Sequence, residues 1–231
     1  MSSDELAQHI SRQFNDELEE VRSDLLAMGG MVEKQVADAV SSLVNADSAQ
    51  ALEVLTTEKK INKMELAIDE ECIRVIALRQ PAASDLRLLV VATKANIDLE
   101  RMGDEASKIA KMAIKLSEGG VLPKGYIEVR HIGVHVCTML HDALDAFARF
   151  DADLALQVIH EDRSVDMEYE SAMRQLVIFM MEDPRYITRV LNVLWSLRAL
   201  ERIGDHARNI AEHVIYLVKG RDVRHQSLDE L

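Results

Sequence analysis

The sequence predicts an all-α protein of two tandem, pseudo-symmetric three-helix bundles packed side by side, six long helices in all. Composition is the first reason: nine Gly and three Pro in 231 residues, 4% aromatic, and Ala, Leu, Val, Ile and Met in plenty, a helix-forming vocabulary with little punctuation. The second is periodicity, since apolar residues recur at helical spacing almost without interruption between Pro81, Pro123 and Pro184, with no sustained strand-type alternation flanked by hairpin signals. The third is a repeat. LERMGDEASKIAKMAI (99–114) aligns without gaps to LERIGDHARNIAEHVI (200–215), identical at nine of sixteen positions. Helices of matching length precede both copies and a proline opens each copy's third helix, so one up-down-up unit is used twice.

The elements follow in order. Helix 1 is expected over about 4–45, with Gly29-Gly30 a candidate kink at a cost of ~1 kcal/mol per Gly relative to Ala. Helix 2 covers about 47–79 behind Asp47 as N-cap, and helix 3 about 83–117 behind Ser84. EGGVLPKG (118–125) is the one clear break. Helix 4 then covers about 126–149, helix 5 about 151–182 capped by Asp151, and helix 6 about 184–219 with Gly220 as its stop. The units are residues 1–118 and 126–220, joined by a linker at 119–125 and followed by a tail at 221–231.

Charge and cysteine usage exclude several classes. A net charge of −13, from 27 basic and 40 acidic residues, repels nucleic acid and is wrong for a polybasic membrane-surface segment. Cys72 and Cys137 form no CxxC and no disulfide framework, which fits a reducing compartment. The charged N-terminus lacks the apolar core of a signal peptide, and no apolar run approaches the ~20 residues that cross a bilayer. A cytoplasmic protein is expected.

The candidate site rests on acidic spacing. Helix 3 carries one apolar stripe through Leu88, Val91, Ala92, Ala95, Leu99, Met102, Ala106, Ile109 and Ala113. A second begins at Leu86, Leu89, Val90 and Ile97 and runs on into Glu100 and Asp104. In helix 6 the stripe through Ile187, Val190, Leu191 and Leu194 continues likewise into Glu201 and Asp205. A helix apolar on two sides is expected to be sandwiched within the protein, so these acids should extend a packed face. Carboxylates one turn apart on such a face repel each other, and burial alone costs several kcal/mol. They need a solvated edge, an arginine (Arg101 and Arg202 lie beside them), or a metal ion. Helix 5 adds Asp162, Asp166 and Glu170 at four-residue spacing; helix 2 has Glu58, Asn62, Glu65 and Asp69. Oxygen-only ligands from neighbouring helices suit hard or borderline cations, Mg, Mn, Ca or iron, with Zn also considered. Asn62 stands where the second half has Asp166, so the second face is expected to bind cation more strongly. The spacing itself is common: ExxxD occurs four times in the chain.

Other features have plainer readings. His131 and His135 stand at i, i+4, a zinc-compatible spacing, but no cysteine or acid pair is visibly arranged to complete a site, and a surface or partly packed pair is the simpler reading. Glu128–Arg130–His131 supplies one ExxH where a di-iron carboxylate bundle wants two. His206 reads as solvated and Trp195 as core. No Walker loop, GxGxxG or GxSxG is present, and no catalytic constellation emerges.

RQPAASDLR (79–87), LERMGD (99–104), MEDPR (181–185) and LERIGDHARNIAE (200–212) resemble the PhoU family of bacterial phosphate-uptake regulators. So do FNDELEEVRSDLLAMGGMVE, DEECIRVIALRQP and LDAFARFDADLAL; the resemblance covers nearly the whole chain. It implies two three-helix bundles, and a cytoplasmic, often homodimeric negative regulator of the phosphate-starvation response. Such a protein acts with the phosphate ABC transporter, through its ATPase subunit, and with a membrane sensor histidine kinase. The resemblance also implies metal binding through E/D-xxx-D motifs, here Glu100 with Asp104, Asp162 with Asp166, and Glu201 with Asp205. Glu58 with Asn62 departs from the pattern, and Asp85, whose counterpart is Tyr186, is a weaker candidate. The competing reading is a metal store or metal-dependent catalyst built on a carboxylate bundle.

Overall fold

In a computed structural model, which describes residues 3–118 and 127–224 with side chains from residue 12 onward, six helices follow one another. They are α1 (Ser3–Val44), α2 (Ser48–Arg79), α3 (Ala83–Ser117), α4 (Ile127–Arg149), α5 (Ala152–Glu182) and α6 (Ile187–Lys219), with a 3₁₀ turn at Pro184–Tyr186 before α6. The linker expected at 119–125 and the tail beyond Arg224 lie outside the described residues.

Duplication extends to the turns. Between α1 and α2, Ala46 takes φ 53°, and Asp47 then caps α2, its Oδ1 accepting from the Ala49 and Gln50 amides at 3.0 Å. Between α4 and α5, Phe150 takes φ 55° and Asp151 accepts from the Asp153 and Leu154 amides at 3.0 Å. An Asp cap satisfies two of the four amides a helix start leaves open. Gly220 ends α6 in the left-handed region, as expected. Ser84 does not cap α3. The helix opens at Ala83 from an extended Ala82 with no side-chain cap, and the Ser84 hydroxyl donates to Asp85 instead.

Within each unit the three helices pack on one another; between units α1 lies against α4 and α3 against α6. Two glycines fix the first of these seams. A Cβ on Gly29 would lie 2.5 Å from the Leu144 side chain, and one on Gly133 would lie 2.7 Å from Val40. The offset that carries Asp47 onto Asp151 also carries Gly29 onto Gly133 and Val40 onto Leu144, so this antiparallel crossing is its own pseudo-symmetric image. Helix α1 passes through Gly29-Gly30 without a break. Leu25, Met28, Val32 and Val36 of α1, Leu99, Met102 and Ile109 of α3, Ile132, Leu140 and Phe147 of α4, and Leu197, Leu200 and Ile203 of α6 make one continuous apolar interior.

The second apolar stripes are covered only in part, with Leu89 and Val190 fully buried as expected. Leu86 and Ile97 on α3, and Ile187 and Leu191 on α6, are exposed, and Trp195 is 64% exposed rather than core. In a three-helix unit the outward side of the third helix has no further layer to cover it. Met173, Val177, Ile178 and Met181 on α5 are exposed as well. The α5–α6 register, seen where Arg198 lies over the Tyr169 ring, runs this end of α5 alongside the start of α6, where Ile187, Leu191 and Trp195 share one exposed face at four-residue spacing.

Candidate cation-binding faces

Each acidic face is assembled around the glycine of its LERxGD phrase. Gly204 lies between Glu201 and Asp205 on α6, and a Cβ there would meet Asp162 Oδ1 at 3.8 Å and Val165 at 3.6 Å. Gly103 lies between Glu100 and Asp104 on α3, and a Cβ there would meet Glu58 Oε2 and Gln35 Oε1, each at 3.1 Å. At Gly204 the added Cβ would make only ordinary contacts, whereas at Gly103 the missing side chain lets the Glu58 carboxylate of α2 settle onto the backbone of α3. That is a reason for Gly inside the motif that acidic spacing alone does not supply.

The second face brings together the four acids named for it. Burial, then the charge of Asp205, pushes the Glu201 carboxyl up against the opposing pull of Arg198, with Asp166 and Asp162 adding to the push. Burial and the charge of Asp162 raise Asp205 against Arg208 and His206. Asp166 is raised by burial and by Asp162 and Asp205, again against Arg208. Glu201 Oε2 is buried with no hydrogen-bond partner. Two guanidiniums hold this cluster. Arg208 donates to Asp162 Oδ2 at 2.9 Å and to Glu212 Oε1 at 3.1 Å, while Arg198 pairs with Glu201.

The first face is built differently. Glu58 Oε2 accepts from Gln35 Nε2 at 2.8 Å and from Ser107 Oγ at 3.0 Å. The Asn62 amide, turned to donate, reaches Glu58 Oε1 at 2.9 Å. Glu100 is raised by burial and by Asp104, with Arg101 opposing and Glu58 and Glu65 adding. Neutral donors therefore hold Glu58 where a guanidinium holds Asp162, and Ser107 occupies the position equivalent to Arg208. Asp85 is not part of this face; it lies fifteen residues from Glu100, about 22 Å along the axis at 1.5 Å per residue.

In donor type and charge both faces suit a hard cation. As the side chains stand, no three Asp, Glu, His or Cys among the described residues close on a common point fit to hold a metal ion. The second face's additional carboxylate comes with Arg198 and Arg208, which offset the advantage that counting acids alone predicts. Of the two arginines expected beside the motif, Arg101 pairs with Glu100 at 3.6 Å, whereas Arg202 crosses the seam to Glu105 of α3 at 2.9 Å.

His206 is not a solvated residue. Its Nδ1 lies 2.8 Å from Asp98 Oδ1, His213 Nε2 lies 3.2 Å from Asp98 Oδ2, and Asn209 donates to Asp98 Oδ1 at 3.1 Å. Burial works to raise Asp98, but the hydrogen bonds from His206, His213 and Asn209 together hold its carboxyl below the ordinary value. This network joins the two units across the α3–α6 seam. The one signal for it in the sequence is that Asp98 interrupts an apolar stretch, with Ala199 as its counterpart. Gln35, a polar residue among Val32, Val36 and Ala39, is the matching signal for the first face.

A duplicated three-helix unit with half-buried carboxylates around a helix glycine in each copy places the chain among all-α repeat bundles with paired acidic faces. The PhoU domain matches it twice, over residues 25–113 and 129–214, once within each unit. The chain belongs to the PhoU family. It is 63% identical over 231 residues, all of this chain and 96% of the relative, to the phosphate-specific transport system accessory protein PhoU homolog of Pseudomonas aeruginosa. It superposes on the crystal structure of PhoU from Pseudomonas aeruginosa with a TM-score of 0.88, at 65% identity over 90% of this chain and 100% of that one. The phosphate transport system regulatory protein PhoU from Streptococcus pneumoniae matches with a TM-score of 0.83 at 30% identity, over 91% of this chain and 99% of that one.

Proposed function

We propose that this protein is a cytoplasmic, non-enzymatic regulator of phosphate uptake. In this reading it works by contact with the ATPase subunit of a phosphate ABC transporter and with a membrane sensor histidine kinase, as a negative modulator of the phosphate-starvation response. The observation that carries the reading is the full-length similarity to a protein named as an accessory of phosphate-specific transport, and it is supported by a second relative titled as a regulatory protein of phosphate transport. No helix among the described residues is long and apolar enough to cross a membrane, so the membrane is reached through partners. The exposed face of Ile187, Leu191 and Trp195 offers the apolar surface that docking needs, since contiguous apolar patches of this kind mark contact sites. The acidic faces hold divalent or iron cations, Mg, Mn, Zn or Fe, that tune this docking, and the working unit is a homodimer.

Affinity capture from cells grown at high and at low phosphate, with identification of the retained proteins, tests the reading. Recovery of the transporter ATPase and the kinase, changing with phosphate, is expected; recovery of neither at either level refutes it. Sedimentation tests the dimer, which should run at twice the 26.0 kDa chain mass. A metal-dependent catalyst would instead show turnover at an open coordination position, which metal analysis coupled to an activity screen detects.

A further inference from the structure

His131 and His135 have the acid partners that the sequence does not show beside them. Helix α5 runs antiparallel to α4 and stands Glu168 across from both histidines, with Oε2 3.2 Å from His131 Nδ1 and Oε1 3.2 Å from His135 Nδ1. Glu161, two turns earlier on α5, places Oε2 3.1 Å from His135 Nε2. We propose that His131, His135 and Glu168 form a site for a borderline divalent transition-metal ion of the zinc class, bridging α4 and α5 on the outer face of the second unit. In this site each histidine binds through Nδ1, Glu168 supplies a carboxylate oxygen, and water takes the fourth position.

Three arguments favour the assignment. The first is proximity: one carboxylate reaches both imidazoles, Oε2 to His131 Nδ1 and Oε1 to His135 Nδ1, each at 3.2 Å, so the three groups already meet at the α4–α5 seam. The second is the tautomer. A metal-binding histidine donates its other ring N–H to a carboxylate or carbonyl, which fixes the ring and raises its basicity. Glu161 stands at His135 Nε2 to take that proton, leaving Nδ1 free to face Glu168. The third is ligand type: two imidazoles with one carboxylate select zinc-class ions over Mg or Ca, which take oxygen. The side chains now bond to each other and enclose no central point, consistent with the absence of a closed three-ligand cluster among the described residues. His131 is 70% exposed and is the ligand freest to turn toward an ion, while His135 and Glu168, at 21% and 27%, are held between the helices.

The test is calorimetric titration of Zn²⁺ into chelator-stripped protein at neutral pH. Wild type should take up one ion through this site, the affinity falling at least about a hundredfold in His131→Ala/His135→Ala. Glu161→Gln should weaken it by roughly 10–100-fold, as loss of an orienting partner does. In a Glu201→Gln/Asp205→Asn background, which takes the second acidic face out of the titration, this uptake should persist, and it should weaken as pH falls because the imidazoles must be neutral to bind. Should the double histidine variant fold poorly, Glu168→Gln and the visible spectrum of the Co²⁺-loaded wild type, tetrahedral if the assignment holds, give the same decision. The proposal is overturned if wild type takes up no Zn²⁺, if the histidine variant keeps full affinity, or if the acidic-face variant is the one that loses it.

Discussion

Arg208→Ser gives the second unit the residue found at the equivalent position of the first, Ser107, and removes the guanidinium shared by Asp162 and Glu212. Both carboxylates are at least nine-tenths buried, with side-chain exposures of 6% and 9%, while Arg208 is 41% exposed. Breaking a fully buried pair costs about 3–5 kcal/mol because an unpaired charge is left inside. Solvent screening at the exposed end of Arg208 reduces that, so about 2 kcal/mol is expected. For a chain of this length that amounts to a fall of roughly 4–8 °C in Tm. Urea denaturation at neutral pH reads it directly. Millimolar Mg²⁺ or Mn²⁺ should recover part of the loss at neutral pH. A loss below about 0.5 kcal/mol, the ordinary size of a surface substitution, would refute the view that Arg208 is the internal counter-ion of this face. A full loss that neither cation relieves would refute the view that the vacated face accepts one.

The raised carboxyls give a pH dependence of fixed sign: Glu100, Asp166, Glu201 and Asp205 bind protons more tightly folded than unfolded. Their cost therefore grows as pH rises from the unfolded value through the folded one, and Glu201→Gln or Asp205→Asn should raise the neutral-pH urea midpoint and give no gain once pH is below the unfolded carboxylate range. Asp98 has the opposite sign, its stabilisation being present above its unfolded value and lost as pH falls through the depressed folded one. Asp98→Ala, which strands two histidines and an amide in the seam, should cost about 2–4 kcal/mol by chemical denaturation. Gly133→Ala must push Val40 aside and should cost about 1–3 kcal/mol, whereas Gly30→Ala, with nothing within 4 Å of the added Cβ, should stabilise α1 by ~0.5–1 kcal/mol; thermal melts of the two variants should move in opposite directions.

What the sequence revealed and what it hid divide along physical lines. Helix extents, the Asp47 and Asp151 caps and the duplication are written in local signals, since periodicity, cap chemistry and turn residues act over a few positions. The meeting of Glu58 with Glu100, and of Asp162 and Asp166 with Glu201 and Asp205, followed from pairing helices of equal length in register. Burial on a second face is another matter. Leu191 and Trp195 have the same helical spacing whether or not a further layer covers them, and nothing local records that none does. Partners across a seam are hidden for the same reason. Arg208 is nearer in sequence to Asp205 than to Asp162, yet it reaches Asp162 on another helix. His206 looked solvated because its counterpart is Glu105, whereas its partner is Asp98, 108 residues away.

The two halves share a backbone and differ in how they balance charge. Pseudo-symmetry of α3 and α6 would match the Arg202–Glu105 bridge with a contact between Arg101 and His206, a pair with no attraction between charged forms. The chain replaces that contact as a set. The second unit has His206 and His213 where the first has Glu105 and Met112, and Asp98 stands in the first unit where the second has Ala199. Either change alone would bury a polar group without a partner, a cost of about 1–3 kcal/mol; together they satisfy each other. The acidic faces show the same logic, with Gln35, Ser107 and Asn62 steadying Glu58 and Arg208 steadying Asp162. A carboxylate held by neutral donors keeps its charge available to an incoming cation, while one held by a guanidinium has already been answered. On that reasoning Arg198 and Arg208 offset the carboxylate that the second face has in excess of the first.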